Sequence, residues 1–178
     1  MKPSLHRLSA CEAARQILAG KFTAEELARD CAQRIEQLEP DLHAWAFFDA
    51  GRFVESARGV DLKLAKGEAA GSLTGVPVGV KDIFNTTDMP TAMGSPIWKG
   101  FTPGNDARAV FNLKRAGAVM AGKTVTAEFA VHAPGPTKNP LDPSRIPGTS
   151  SSGSAAAVAA EMVPCAIGTQ TAGSVIRP

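Results

Sequence analysis

The chain has 178 residues, of which 44% are hydrophobic and 20% are charged, a composition typical of a globular protein with one real core. Its net charge of +2 gives no reason to expect nucleic acid or an anionic membrane as a partner. No apolar run approaches the roughly 20 residues that a membrane-spanning helix needs, and the N-terminus lacks the apolar core of a signal peptide, so we expect a cytoplasmic protein.

Helix-capping signals dominate the first part of the chain. An S-x-x-E pattern beginning at Ser9 predicts a short helix, and a T-x-x-E pattern beginning at Thr23 predicts a second one with an apolar face at helical spacing. Pro40 should end this second helix, because proline fits poorly inside a helix. A strand and a third helix should follow, at residues 44–48 and 55–65. We therefore predict that residues 1–70 form an N-terminal helical segment.

Short apolar strands alternate with helices in the second part, residues 71–178. The run VPVGV at residues 76–80 predicts a buried strand that ends just before Lys81. Beyond a loop rich in proline and glycine, we expect a helix capped by Asp106, a strand, and a buried helix of small residues, at residues 107–116, 118–121 and 153–161. This alternation predicts an α/β fold with a largely covered sheet.

Two serine-bearing glycine turns lie near the end of the sequence, with Ser150 in the first and Ser174 in the second. The glycines let the backbone approach a ligand closely, and backbone N–H groups in such turns can bind an oxyanion. A Ser/Gly linker would have a similar composition. However, the run AAAVAAEMVPCAIG between the turns is apolar and has to be buried, which excludes a linker.

Lys81 stands at the end of an apolar strand, where a lysine is usually a surface residue with a buried stem. In a pocket, a lysine can instead lose its proton and act as a base. Asp82 follows it directly. Because adjacent strand residues face opposite sides of a sheet, we predict a structural role for Asp82 rather than an ion pair with Lys81.

Three segments together resemble the motifs of the amidase signature family: GVPVGVKD, PGTSSSGS and GTQTAGSVIRP. The residues of the last segment are similar to those of malonamidase-like members. The resemblance covers residues 73–178. It implies the N-terminal part of the amidase signature fold, with a mixed central sheet covered by helices on both faces. It also implies a Ser–cisSer–Lys triad that hydrolyses carboxamides: Lys81 is the base, Ser150 is the bridge that follows a cis peptide bond, and Ser174 is the nucleophile.

The same resemblance assigns roles around the nucleophile. Arg177 matches a carboxylate-binding arginine of malonamidase-like enzymes, although a structural role in fixing the turn is an equal alternative. The chain has Thr149 where most members have a small residue, usually glycine, and Gln170 where many have an acid. The oxyanion hole would consist of backbone N–H groups from four consecutive residues, Thr171, Ala172, Gly173 and Ser174. No cofactor or metal is implied.

The predicted function is therefore hydrolysis of a small carboxamide to a carboxylate and ammonia or an amine, through an acyl-enzyme on Ser174. The alternative is the A subunit of a glutamine-dependent tRNA amidotransferase, which carries the same triad and works inside a complex. We expect a small-molecule amide as substrate, no direct contact with nucleic acid, and a homodimer as candidate assembly. Because family members run well beyond residue 178, we expect a truncated core that has no turnover by itself.

A competing motif lies at residues 117–124, where GAVMAGKT fits the phosphate-binding pattern G-x-x-x-x-G-K-T and would indicate a nucleotidase. A phosphate-binding loop follows a strand and opens a helix, whereas here a helix precedes the first glycine and the middle positions are apolar. We therefore predict that these residues form a strand and bind no nucleotide.

Metal binding is not predicted either, because the histidines are far apart in the sequence and share no ligand spacing; they are His6, His43 and His132. The cysteines are odd in number and form no C-x-x-C pair, which predicts reduced residues in the core; they are Cys11, Cys31 and Cys165.

Overall fold

A mixed four-stranded sheet forms the centre of the computed structural model, which describes residues 4–131 and 133–178. In the described residues the strands lie in the order β1-β3-β2-β4. β1 runs antiparallel to β3, whereas β3, β2 and β4 are parallel. The strands are β1 (Trp45–Phe48), β2 (Pro77–Lys81), β3 (Val119–Thr124) and β4 (Cys165–Ile167).

Helices cover both faces of this sheet, as expected. The α-helices of the described residues are α1 (Ala10–Leu18), α2 (Ala24–Leu42), α3 (Ala50–Ala65), α4 (Arg108–Arg115) and α5 (Ser152–Ala159). One hydrophobic cluster joins α1, α2, α3 and α5 to the sheet, and a second joins α4 to the opposite side of β2 and β3. The α/β class and the mixed, covered sheet are thereby confirmed. The division of the chain at residue 70 stays a prediction, and β1 of the first part pairs with β3 of the second.

Both predicted capping signals begin helices where expected. Ser9 Oγ accepts a hydrogen bond from the Glu12 N–H, and Thr23 forms a complete capping box with Glu26. The predicted end of α2 is wrong, because the helix continues past Pro40. Proline removes a single backbone donor, and the last turn closes through the His43 N–H, which donates to the Glu39 carbonyl at 3.0 Å.

Two other helix boundaries also differ from the predictions. α3 begins at Ala50, five residues early, because the Asp49 carboxylate accepts a hydrogen bond from the Arg52 N–H and caps the helix. α4 has Ala107 at its N-cap and no side-chain cap. Asp106 instead accepts hydrogen bonds from the Thr87 N–H and the Lys114 ammonium group. The strand β4 is not predicted by the sequence pattern, because three half-buried residues carry no recognisable period.

Residues 117–124 form a turn followed by β3, and all six residues of the strand are buried. Within the part of the chain that the structure describes, no α-helix begins directly after Thr124, and the next one is α5, at Ser152. The phosphate-binding loop is therefore excluded as a structural motif, and the prediction of a strand is confirmed.

Of the three cysteines, Cys31 is buried, Cys165 is half-buried and Cys11 is exposed, so the prediction of a core position is wrong for Cys11, which lies on the outer face of α1. Among the residues described, no cluster of His, Cys, Asp and Glu side chains has the arrangement of a metal site. None of the described helices combines the length and apolar character needed to cross a membrane. His132 lies outside the described residues.

Candidate active site

Lys81 is the last residue of β2 and is fully buried. In the parallel pairing of β2 with β3 it lies opposite Thr124. Its ammonium group donates hydrogen bonds to Ser150 Oγ at 2.6 Å, Ser151 Oγ at 2.9 Å and Thr169 Oγ1 at 2.8 Å. The strand end thus directs the amine into a cluster of hydroxyl groups.

The surroundings of this amine change its proton affinity. Burial lowers the pKa of Lys81 from 10.5 to about 8, since a low-dielectric site disfavours the charged form. Its hydrogen-bonding partners among the described residues are hydroxyl and carbonyl groups, and none is a carboxylate. The neutral fraction of the amine therefore becomes substantial near pH 8, and a neutral amine can accept a proton.

The first serine turn is held against the sheet by the start of α5. Gly153 packs so closely there that a Cβ atom would lie 2.3 Å from the Ala44 carbonyl oxygen and from the Val125 nitrogen. The Gly153 N–H donates to the Val125 carbonyl at 3.2 Å, and the Ala127 N–H donates to the Ser150 carbonyl at 3.1 Å. Glycine at position 153 is therefore a steric requirement for bringing Ser150 beside Lys81.

The predicted cis bond between Thr149 and Ser150 is wrong for this structure, which has no cis peptide bond among its described residues. A cis bond before a residue other than proline costs about 2.5–4 kcal/mol. The hydrogen bond between Lys81 and Ser150 Oγ forms without it.

The second serine turn lies beside the first one. The Ser174 carbonyl accepts a hydrogen bond from the Ser151 N–H at 3.2 Å, and Thr149 Oγ1 donates to the Gly173 carbonyl at 3.3 Å. Ser174 itself is half-buried. No hydrogen bond among the described residues joins Ser174 Oγ to Ser150 or Lys81. The structure thus brings Lys81 and Ser150 into contact and places Ser174 next to them through its backbone.

The backbone N–H groups of the predicted oxyanion hole donate no hydrogen bond to any described residue; they belong to Thr171, Ala172, Gly173 and Ser174. Gln170 closes the turn that carries them, because its Oε1 accepts from the Val175 and Ile176 N–H groups, both at 3.1 Å. Arg177 is exposed and donates its N–H to the Gly173 carbonyl at 3.0 Å. Its guanidinium group forms no ion pair within the described part of the chain.

Sequence reasoning missed two partners of Lys81. The hydroxyl groups of Ser151 and Thr169 both accept hydrogen bonds from the Lys81 amine. Ser151 Oγ also donates to the Thr169 carbonyl at 3.1 Å. Ser151 could have been found from its place beside Ser150. Thr169 had no comparable signal, because only the packing of β4 against β2 brings it near Lys81.

Asp82 has the structural role predicted for it, but its partner is another lysine. Lys123 Nζ lies 2.8 Å from Asp82 Oδ1, and both side chains are almost completely buried. Lys123 also donates hydrogen bonds to the Pro90 carbonyl at 3.0 Å and to Thr91 Oγ1 at 2.7 Å. Burial lowers the pKa of Lys123, and attraction to Asp82 opposes this shift.

The chain is similar in sequence and in fold to several known proteins. The A subunit of glutamyl-tRNA(Gln) amidotransferase from Acidothermus cellulolyticus is 48% identical over 180 residues, covering 98% of this chain and 36% of that protein. The peptide amidase of Stenotrophomonas maltophilia superposes with a TM-score of 0.87 at 35% identity, covering 94% of this chain and 37% of that one. The corresponding amidotransferase chain of Thermotoga maritima superposes with a TM-score of 0.78 at 31% identity, covering 99% and 37%.

The chain therefore spans little more than a third of the length of these relatives. The family model described as Amidase matches residues 26–178, which include β2, both serine turns and every residue of the hydroxyl cluster around Lys81. With a matching fold and a matching family model over most of its length, the chain belongs to the amidase signature family.

Proposed function

We propose that this chain supplies the N-terminal part of the catalytic core of an enzyme that cleaves amide C–N bonds. Ser174 is the nucleophile, Ser150 is the bridge and Lys81 is the base. The observation that carries the proposal is the buried Lys81 amine, which lies 2.6 Å from Ser150 Oγ and has only uncharged partners among the described residues. Such an amine is neutral often enough to take a proton near pH 8.

In the proposed reaction, neutral Lys81 takes the proton of the Ser150 hydroxyl while Ser150 takes the proton of Ser174. Ser174 Oγ turns toward Ser150 and attacks the amide carbonyl. The C–N bond then breaks, and the relay returns its proton to the leaving nitrogen, which departs as ammonia or an amine. Water attacks the resulting ester, releases the carboxylate and restores Ser174.

The free N–H groups of the second turn would stabilise the negative charge that develops on the carbonyl oxygen. They belong to residues 171–174 and are unengaged by described residues. Loss of one such donor typically costs about 2.7–4 kcal/mol of transition-state stabilisation. The shape of the turn, which Gln170 closes, is therefore as important to the proposal as the hydroxyl relay.

The A subunit of a tRNA amidotransferase is the first candidate for the whole protein. The support is the 48% identity to the Acidothermus cellulolyticus protein over nearly the whole chain. Glutamine would then be the amide that is cleaved, and partner subunits would use the ammonia. The exposed guanidinium of Arg177, beside the second turn, suits a substrate that carries a carboxylate. A cytoplasmic location belongs to the same proposal.

A stand-alone amidase is the second candidate, favoured by the superposition on the peptide amidase of Stenotrophomonas maltophilia. The two candidates differ in their partners. A component of an amidotransferase should co-purify with other subunits and hydrolyse glutamine, whereas a stand-alone amidase, as a monomer or a homodimer, should turn over small amides without them.

Labelling with a fluorophosphonate probe tests the proposal in the gene product that carries this chain, alongside turnover of a panel of amides that includes glutamine. We expect the label to map to Ser174, and Ser174→Ala to abolish both labelling and turnover. Ser56→Ala is the control, because Ser56 Oγ donates its hydrogen bond to the Arg52 carbonyl on α3, away from the site. A label that maps to Ser151 or Ser152 would contradict the assignment. For the 178 residues by themselves we expect no turnover.

A further inference from the structure

The buried ion pair of Asp82 and Lys123 lies directly beside the proposed relay, yet it takes no part in the reaction as described. Lys123 is aligned with Val80 and Lys81 with Thr124 in the pairing of β2 with β3. Because side chains alternate across a sheet, Lys123 and Lys81 point to opposite faces. Any effect of the ion pair on the relay therefore has to pass through the backbone and not through contact with reacting atoms.

The first connection runs through Asp82, the residue that follows Lys81. The Asp82 N–H donates to the Thr124 carbonyl at 2.9 Å, which extends the pairing of β2 with β3 beyond Lys81. Its carboxylate holds Lys123 at 2.8 Å and accepts from the Ala92 N–H at 3.1 Å. Asp82 thus fixes the backbone on the C-terminal side of Lys81. Its carboxylate cannot move away without leaving Lys123 without its ion-pair partner.

The second connection runs through the loop that Lys123 holds at Pro90 and Thr91. Further along this loop, the Met93 carbonyl accepts a hydrogen bond from the Phe129 N–H at 2.8 Å. The Ala127 N–H, two residues before Phe129, donates to the Ser150 carbonyl at 3.1 Å. Through these contacts the ion pair reaches the second member of the relay.

The contact between the loop and the segment near Phe129 contains unusual backbone conformations. Met93, Phe129 and Ala130 all have positive φ, at 55°, 48° and 60°, a region that residues other than glycine rarely occupy. Gly94 packs so tightly here that a Cβ atom would lie 2.7 Å from the Thr126 carbonyl oxygen. Such conformations persist only where surrounding contacts hold them, and Lys123 holds the same loop just before Met93, at Pro90 and Thr91.

We propose that Asp82 and Lys123 are positioning residues that together hold Lys81 Nζ and Ser150 Oγ at hydrogen-bonding distance. This inference rests on the proposed function for its meaning in catalysis. Without the pair, the end of β2 and the loop at residues 90–95 relax, the Lys81–Ser150 contact lengthens and water reaches the amine.

The charged groups near the two lysines decide what a titration should show. Lys81 has only the hydroxyl and carbonyl groups of Ser150, Ser151 and Thr169 as hydrogen-bonding partners. The charges that act on Lys123 are Asp82 and, more weakly, Asp88. If loss of the ion pair lets water reach Lys81, the pKa of Lys81 should rise in both Asp82→Asn and Lys123→Met. A direct electrostatic effect would instead move the pKa in opposite directions, since the first variant removes a negative charge and the second a positive one.

The test uses the gene product that carries this chain and two separate readouts. Competitive acetylation of Lys81 across a pH series, read by mass spectrometry, gives the pKa of its amine whether or not any amide is cleaved. Amide turnover, normalised to folded protein, gives kcat and KM. We expect a higher pKa of Lys81 in both variants, a fall in kcat of tenfold or more, and KM within about threefold of the parent.

Two further variants keep the result decisive. Phe53→Leu shortens a fully buried side chain of α3, in the hydrophobic cluster that joins α1, α2, α3 and α5 to the sheet. It should lower stability while leaving kcat and the pKa of Lys81 unchanged. Thr91→Val removes one 2.7 Å partner of Lys123. If the two charge variants do not fold, Thr91→Val should show the same changes on a smaller scale.

An unchanged pKa of Lys81 with kcat within twofold of the parent, in whichever of these variants fold, would overturn the positioning role. Opposite pKa shifts in the two charge variants would overturn it too. A parent protein that cleaves no amide and takes no probe would refute the proposed function instead. In that case the acetylation series would still decide whether the ion pair holds Lys81.

Discussion

Two lysines lie fully buried near the ends of neighbouring parallel strands, and only one of them has a carboxylate beside it. Lys123, in β3, has the carboxylate of Asp82 at 2.8 Å. Lys81, in β2, has hydroxyl groups and a carbonyl group. Burial lowers the pKa of both amines, but at Lys123 the attraction to Asp82 works against that shift.

In the proposed mechanism, this difference separates a structural ion pair from the amine that acts as the base on the same sheet. A carboxylate partner favours the charged form of a buried amine, and breaking such a pair leaves an uncompensated buried charge. A buried amine without such a partner gives up its proton near neutrality and can serve as a base. Position in a strand and depth of burial are nearly the same at the two sites, so in the proposed mechanism the nearby carboxylate distinguishes the two lysines.

The largest expected effect is on catalysis at Lys81. Lys81→Met keeps an unbranched side chain of similar length but removes the amine, so kcat should fall by roughly two to four orders of magnitude, the usual contribution of a general base. Steady-state kinetics on the amide found in the substrate panel measures it, with Lys114→Met, which removes a partly exposed lysine of α4, as the matched control. A kcat for Lys81→Met within threefold of the parent would contradict the assignment of the base.

Lys123→Met should have its main effect on stability, because it leaves the Asp82 carboxylate buried without a partner. Breaking a buried ion pair in this way typically costs about 3–5 kcal/mol. The double variant Asp82→Asn/Lys123→Met removes both charges and should recover a large part of the loss. Denaturant unfolding measures the two differences, and equal losses in the single and double variants would show that the charge pairing contributes little.

The pH dependence of stability should also distinguish Lys81. Its pKa is about 8 in the folded protein, against 10.5 ordinarily, so the unfolded chain binds more protons than the folded one between these values. Stability should therefore rise with pH across that window, by up to about 3 kcal/mol from this group. Lys81→Met should lose this part of the rise, which unfolding curves at pH 8 and pH 10 can detect. Equal slopes for variant and parent would contradict the lowered pKa.

The smallest expected effect on stability concerns the turn that carries Ser174. Gln170→Ala removes an oxygen that accepts from two backbone N–H groups. Since Gln170 is exposed, we expect a stability change of only about 1 kcal/mol together with a clear fall in kcat. Gln170→Glu, which restores the acid that many family members have, should retain activity. Equal activity in the alanine and glutamate variants would show that this acceptor does not shape the turn.

The motifs near Lys81 and Ser150 allowed their proximity to be predicted, and the structure brings the two side chains to 2.6 Å. The fold class was also predictable, because strands and helices alternate with clear periods. The sequence pattern predicted the wrong helix boundary where another local contact decided it. Asp49 begins α3 earlier than the apolar pattern indicates, and α2 tolerates Pro40 in its last turn.

Long-range pairings were the part that no local pattern contained. The ion pair of Asp82 with Lys123 depends on the register of β2 against β3, which is set by packing of the whole sheet. The contact of Thr169 with Lys81 likewise depends on the pairing of β2 with β4. In the sequence, Lys123 appeared only as the lysine of a false phosphate-binding motif.

The rate at which Ser174 reacts with a fluorophosphonate, measured from pH 6 to pH 10, tests the central claim most directly. If neutral Lys81 draws the proton from Ser174 through Ser150, the rate should rise with pH to a plateau with its midpoint near the Lys81 pKa of about 8. The rate should be low, without that midpoint, in Lys81→Met. A parent rate that does not change across this range, or the same midpoint in Lys81→Met, would contradict the role of Lys81 as the base.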